Sequence, residues 1–242
     1  MSVQRIVSFQ RRISEGAKSL PEFDKLGGMG VQISQLEKII GSVGKRKNSM
    51  SSFLLTGPPG CGKSQLIQKV FRGHGFLLCI ANCCDLVRSD LGTTEKLLKS
   101  LFNKAKMHLS EGPTLLVFEE IDLLAPTKSV ASANQVRIVS QLASLLDTHS
   151  QSGLVIGATT SDISRIESSL RRPGRFTHEI FIPVPSLEER LQMIEAQTSG
   201  ETKPLEISAE KIAQVTPGYV ASDLAALCQR LSTSSIGNRL SH

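Results

Sequence analysis

Tryptophan is absent from this 242-residue chain, and tyrosine occurs once, at Tyr219. The lack of these rings argues against stacking on single-stranded nucleic acid as the main activity. Long apolar runs are missing too, so no segment reads as a membrane span. The five cysteines are an odd number, without framework spacing or a secretory signal, and argue for a reducing compartment. Cys79, Cys83 and Cys84 lack the C-x-x-C pairing of a metal cluster and read as small buried thiols. Charge of one sign is sparse only at the start. Residues 1–50 hold nine Lys/Arg against four Asp/Glu, and the remainder is close to neutral. The formal charge of +6 therefore gives no broad basic face, which argues against a DNA-loading role.

What is present is an apolar share of 40%, enough for one large domain with a small satellite. The most informative stretch is Gly57-Pro58-Pro59-Gly60-Cys61-Gly62-Lys63-Ser64, which fits G-x-x-x-x-G-K-[ST]. An apolar run at Ser52 to Thr56 precedes it, and a helix-like segment from Gln65 to Phe71 follows. That context is what a phosphate-binding loop needs. Its glycines let backbone N–H groups turn towards anionic oxygens, and the helix N-terminus adds its dipole. Lys63 is expected to reach the terminal phosphates, and the Ser64 hydroxyl to bind Mg²⁺.

Further apolar runs, Phe76 to Ile80, Thr114 to Phe118 and Leu154 to Ala158, alternate with helical patterns around Leu97 to Ala105 and Asn134 to Asp147. Such alternation predicts an α/β fold, a parallel sheet with helices on both faces. The second run ends in Glu119-Glu120-Ile121-Asp122, which puts two carboxylates at a strand's carboxyl end, where ligands bind in these sheets. One suits the Mg²⁺ shell and the other suits a proton taken from attacking water. Thr159-Thr160 ends the third run at the same edge. Arg171, Arg172 and Arg175 surround Pro173-Gly174, either as a surface turn or as groups that neutralise a γ-phosphate held by a neighbouring subunit.

Four segments follow. Residues 1–21 form a basic leader, read as flexible or weakly helical, with a mitochondrial presequence as the alternative. Residues 22–184 form the nucleotide-binding part and residues 185–232 a small helical lid. Residues 233–242 form a polar tail without helical periodicity.

With these residues in hand, the chain resembles the AAA ATPase family over roughly residues 22–232. GPPGCGKS is similar to its Walker A motif, FEEID to Walker B, GATTSD to sensor 1, LRRPGRF to the second region of homology, and GYVASDLAALC to the sensor 2 helix. Within the family it looks most like the valosin-containing, nuclear valosin-like and spermatogenesis-associated-5-like group, the last linked to large-subunit ribosome maturation. The resemblance implies a P-loop NTPase sheet with a C-terminal helical lid, with ATP and Mg²⁺ as cofactors. It implies a homo- or hetero-hexameric ring that remodels protein partners, without direct nucleic-acid contact and in the cytoplasm or nucleus. By position, Pro59, Gly60, Cys61, Gly62, Lys63, Ser64 and Gln65 would hold the phosphates. Ser64 and Glu119 would hold the metal, and Glu120 would polarise the water. Arg172 and Arg175 would be offered to the next protomer. Lys25, Leu26 and Gly27 would line the adenine pocket, faced by Ala221 and Ser222 from the lid.

The chain also departs from the family. Glu119 replaces the usual Asp, and Thr160 the usual sensor 1 Asn, although its hydroxyl can still meet the water or γ-phosphate. Ala221 stands where Gly is normal. Ser89-Asp90-Leu91-Gly92 lacks the aromatic of the central pore loop. The lid looks short of its last helix, and no second ATPase module or substrate-recruiting domain is expected in what reads as a truncated, spliced or excised module. These departures leave a nucleotide-binding scaffold with weak turnover as the alternative to an active ATPase.

Overall fold

The apolar runs become strands because their side chains find a core on both faces. These are β2 (Ser52–Thr56), β3 (Leu77–Asn82), β4 (Thr114–Glu119) and β5 (Val155–Thr160), joined by β6 (His178–Phe181). The computed structural model describes residues 7–10, 27–43, 52–88, 90, 92–149, 152–199 and 207–237. Among the described residues the sheet has six strands, with β1 (Val7–Gln10) at one edge, in the order β1-β3-β4-β5-β2-β6. β2 to β6 run parallel, whereas β1 pairs antiparallel with β3, Val7 opposite Ala81. The reading of the leader as flexible or weakly helical is corrected for these four residues. Without β1 the outer edge of β3 would leave a row of backbone donors and acceptors unpaired, and β1 meets them as a strand. The rest of the leader lies outside the described residues.

Alternation along each strand divides the interior in two. Leu54, Leu116, Phe118, Ile156 and Ala158 face one way, onto α4 (Thr93–Met107) and α6 (Ala133–His149) through Leu98, Phe102, Leu142 and Leu146. Phe53, Leu55, Leu115, Val117 and Val155 face the other, onto α1 (Gly30–Ser42) and α2 (Lys63–Gly73) through Leu36, Leu66, Ile67 and Phe71. The Phe53 ring stacks on Phe71 at 5.4 Å. Gly157 is a glycine because a Cβ there would run into the Phe53 ring. Short helices α3 (Cys83–Leu86) and α5 (Ile121–Leu124) continue directly from β3 and β4. Thr94, in the first turn of α4, is buried. It donates to Leu86 O at 3.1 Å and accepts from Arg88 N–H at 3.0 Å, which ties α4 back to α3.

Three helices form the lid: α7 (Leu187–Thr198), α8 (Ala209–Val215) and α9 (Ala221–Gly237). Ser186 and Glu189 close a capping box on α7, joining two otherwise unpaired backbone donors to side chains. The buried Arg190 guanidinium donates to Ala213 O at 2.9 Å and Pro185 O at 3.0 Å, fixing α7 to α8. Met193, Ile194, Ile212, Leu224 and Cys228 join the core shared with α1 and α2, so lid and sheet are packed as one interior. α9 continues to Gly237, which corrects the reading of residues 233–242 as a non-helical tail as far as that residue. A helix seeded by a packed face continues through Ser and Thr, whose propensity is only a few tenths of a kcal/mol poorer than that of better formers. Among the described residues no helix is long and apolar enough to cross a membrane.

Candidate active site

Gly62 starts α2. It adopts φ +85°, a left-handed conformation that most side chains avoid, and this turns the loop so that α2 begins at Lys63. Gly60, at φ +77°, lies so close to the lid that a Cβ would overlap the Ser222 hydroxyl. The Ser222 N–H also donates to Gly60 O at 3.0 Å. The lid is thus clamped onto the loop by a backbone hydrogen bond that a side chain at position 60 would break.

Beside this loop opens a cavity of about 360 Å³. It is lined by Pro59, Gly60, Gly62, Lys63, Ser64 and Gln65 from the loop, and by Glu119 and Glu120 from the end of β4. Thr159 and Thr160 line it from the end of β5, and Ala221 and Ser222 from the lid. Ser222, expected to face the base, is packed against the phosphate loop as well. The Cys61 thiol does not line this cavity. It is buried beneath the loop, between Met29 and Ile182, and burial raises its pKa. Lys63 Nζ donates to Gly57 O at 2.6 Å and Pro58 O at 2.8 Å. Burial lowers its pKa, opposed by the charges of Cys61, Asp122 and Glu120. Gly27 packs against the Gln192 carbonyl of α7, with no room for a side chain. Lys25 and Leu26 lie outside the described residues, as do Ser89 and Leu91.

Glu120 is the only non-glycine residue with positive φ among the described residues, at φ +55°. Left-handed backbone at a side chain of this size stores strain of about 1–3 kcal/mol, persists only where the surroundings enforce it, and is concentrated at functional positions. Its N–H donates to the Thr159 hydroxyl at 3.3 Å. Thr160 is engaged differently from the expectation. Its hydroxyl lies 2.8 Å from Asp122 Oδ1 and 3.1 Å from Asp162 O, while accepting from Asp162 N–H. A hydroxyl has one hydrogen, so any further acceptor in the cavity would compete with Asp122 and Asp162 for it. Asp122 is itself buried and lies 3.6 Å from Arg165.

Arg172 and Arg175 are not in this cavity. They line a separate groove of about 500 Å³ with Lys128, Asp147, Glu167 and Ser169, and the two cavities share no residue. Arg175 is held fork to fork by Asp147, with Nε–Oδ1 and Nη2–Oδ2 both at 2.9 Å, and donates to Ser169 O at 2.8 Å. The pairing raises the arginine pKa and lowers the Asp147 pKa. Arg172 is exposed.

Asn82 also lines the cavity and was missed from sequence. Its signal was there: it is the polar residue ending an apolar strand, as Glu119 and Thr160 are on the neighbouring strands. Among the described residues no group of three His, Cys, Asp or Glu side chains stands together to hold a metal. Four of the cysteines are buried, but Cys84 is exposed, which corrects the reading of Cys79, Cys83 and Cys84 as uniformly buried.

A glycine loop between β2 and α2, facing carboxylates at the end of β4 across a parallel sheet, defines a P-loop nucleoside triphosphatase with a helical lid. The model of the ATPase family associated with various cellular activities (AAA) matches residues 53–184, more than half the chain. The chain belongs to this family. It is 36% identical over 185 residues to the Homo sapiens ATPase family gene 2 protein homolog B, covering 76% of this chain and 24% of that protein. It is 33% identical over 187 residues to the Arabidopsis thaliana cell division control protein 48 homolog B, covering 75% and 31%. It is 31% identical over 242 aligned positions to the Saccharomyces cerevisiae ATPase family gene 2 protein, covering 92% and 31%. The chain therefore spans 24% to 31% of these relatives' length, less than a third.

Proposed function

We propose that the chain binds ATP with Mg²⁺ in the loop cavity, hydrolyses it when a second AAA protomer completes the site, and so drives the remodelling of a protein partner. The observation that carries this reading is the convergence of Lys63, Ser64, Glu119 and Glu120 on one cavity. The loop amides and Lys63 would grip the phosphates. Glu120 would take the proton of a water attacking the γ-phosphorus. The Ser64 hydroxyl and the Glu119 carboxylate are hard oxygen donors of the kind Mg²⁺ prefers, and both line the cavity. They would hold the ion, which when bound offsets charge on the phosphate oxygens. The arginines that would complete the charge balance line another groove, so a second copy or a longer AAA relative, in a hexameric ring, is the natural source. The similarity to ATPase family gene 2 proteins supports the ATPase reading, and the resemblance to the spermatogenesis-associated-5-like group extends the proposal to ribosome maturation in the cytoplasm or nucleus.

The test is ATP turnover against protein concentration, for the native chain and for Glu120→Gln. Turnover should rise with concentration and fall about 100-fold or more in the variant, while ATP binding is kept. Tight binding without turnover in either chain, at any concentration, sinks the hydrolytic reading. The scaffold reading then takes over, and one observation favours it: the Thr160 hydroxyl is directed to Asp122.

A further inference from the structure

Cys84 stands in the first turn of α3, in contact with two residues that line the cavity, Asn82 and Glu120, and its Sγ lies 3.7 Å from Glu120 Oε2. The same sulfur lies 3.1 Å from Asn82 Oδ1, which also accepts the Cys84 backbone N–H at 3.2 Å. One thiol hydrogen thus has two acceptors, a neutral amide oxygen and a carboxylate. Glu120 is fixed at its backbone by the left-handed turn and the Thr159 bond. Among the described residues, Cys84 is the only hydrogen-bond donor to its carboxylate. A glutamate held at its backbone alone still has three side-chain torsions free, whereas proton abstraction needs the carboxylate within hydrogen-bond reach of one water.

We propose that Cys84 is a positioning residue for hydrolysis: its S–H···O bond holds the Glu120 carboxylate, and Asn82 is the competing acceptor that lets the carboxylate go. The proposal rests on Glu120 being the hydrolytic carboxylate. The contact acts in both directions. Slight desolvation, then the nearby Glu120 charge, raises the Cys84 pKa, so removing that charge should raise the reactivity of the thiol.

Two measurements on the full chain test it. In the first, Cys84→Ala lowers kcat about threefold to tenfold, the worth of one ordinary hydrogen bond, while ATP affinity in a binding titration stays unchanged. Cys84→Ser, which keeps a donor, recovers most of the loss. The second needs no substitution at Cys84. Iodoacetamide alkylation of that residue, followed by mass spectrometry at about pH 8, should speed up by about threefold or more in Glu120→Gln. Unchanged kcat in Cys84→Ala, or alkylation indifferent to Glu120→Gln, overturns the proposal. If alkylation responds in a chain that has no turnover at all, the pairing stands and the hydrolytic reading falls instead.

Discussion

The loop cavity and the arginine groove differ in how they are built. The cavity gathers residues from three parallel strand ends, a helix start and the lid, and it is held by enforced backbone: left-handed Gly60, Gly62 and Glu120, and the Ser222–Gly60 clamp. The groove lies between α6 and the turn around Pro173. It is held by side-chain ion pairing, chiefly Arg175 with Asp147. One is fixed by main chain, while the other is fixed by partly exposed charged side chains. On the proposed reading the groove is the donor surface that seats against another chain, with Arg172, exposed at the turn, reaching and Arg175 bracing the turn.

The sharpest break in this comparison is Arg172→Ala. Turnover should fall about a thousandfold, the scale of a missing trans-acting arginine, with nucleotide binding intact. Mixing that chain with Lys63→Ala should restore part of the activity, because each supplies the half the other lacks. Mixtures no better than their components would put both halves in one chain. Lys63→Ala alone should weaken ATP binding about 100-fold in calorimetry, by loss of charged hydrogen bonds to phosphate. An unchanged Kd would remove the cavity from consideration. Asp147→Asn should loosen the groove only. The pair is partly exposed, so a loss of about 0.5–1 kcal/mol, or a Tm lower by about 2–4 °C, is expected, with ATP affinity unaltered.

The smallest effect concerns the end of the same helix. His149 is buried against the Phe102 ring at 5.2 Å, and its Nδ1 has no hydrogen-bond partner among the described residues. Burial, then the nearby Lys106 charge, lowers the imidazole pKa. The unfolded chain then takes up the proton more readily than the fold. Stability from this residue is complete above the ordinary imidazole value of about 6.5 and declines as pH falls through the lowered one. His149→Phe should flatten that slope in urea melts run between about pH 7 and pH 5. An unchanged slope would assign the acid sensitivity elsewhere, with Asp147 the next group to examine.

Much of the fold was legible because its determinants are local. The loop glycines, the apolar runs and the acids after β4 lie within a few residues of the features they specify. What escaped the sequence was partnership across distance. Asp122 meets Thr160 across 38 residues and Asp147 meets Arg175 across 28, and neither spacing carries a periodic signal. The exposure of Cys84 was hidden for a similar reason: a thiol beside a buried neighbour looks the same in sequence whichever way α3 turns it. α9 outran its apolar pattern because packing at its start, through Leu224 and Cys228, outweighs the weak propensity of the serines and threonines that follow. The adenine-side residues Lys25 and Leu26 fall outside what the structure describes.

The added antiparallel strand has a consequence for solubility. A parallel sheet that stopped at β3 would present a ready template for another extended chain, the geometry from which fibrils and tangled oligomers grow. Val7–Gln10 seals that flank with the chain's own backbone. A version of the protein lacking those four residues should keep its catalytic parts and yet precipitate on storage.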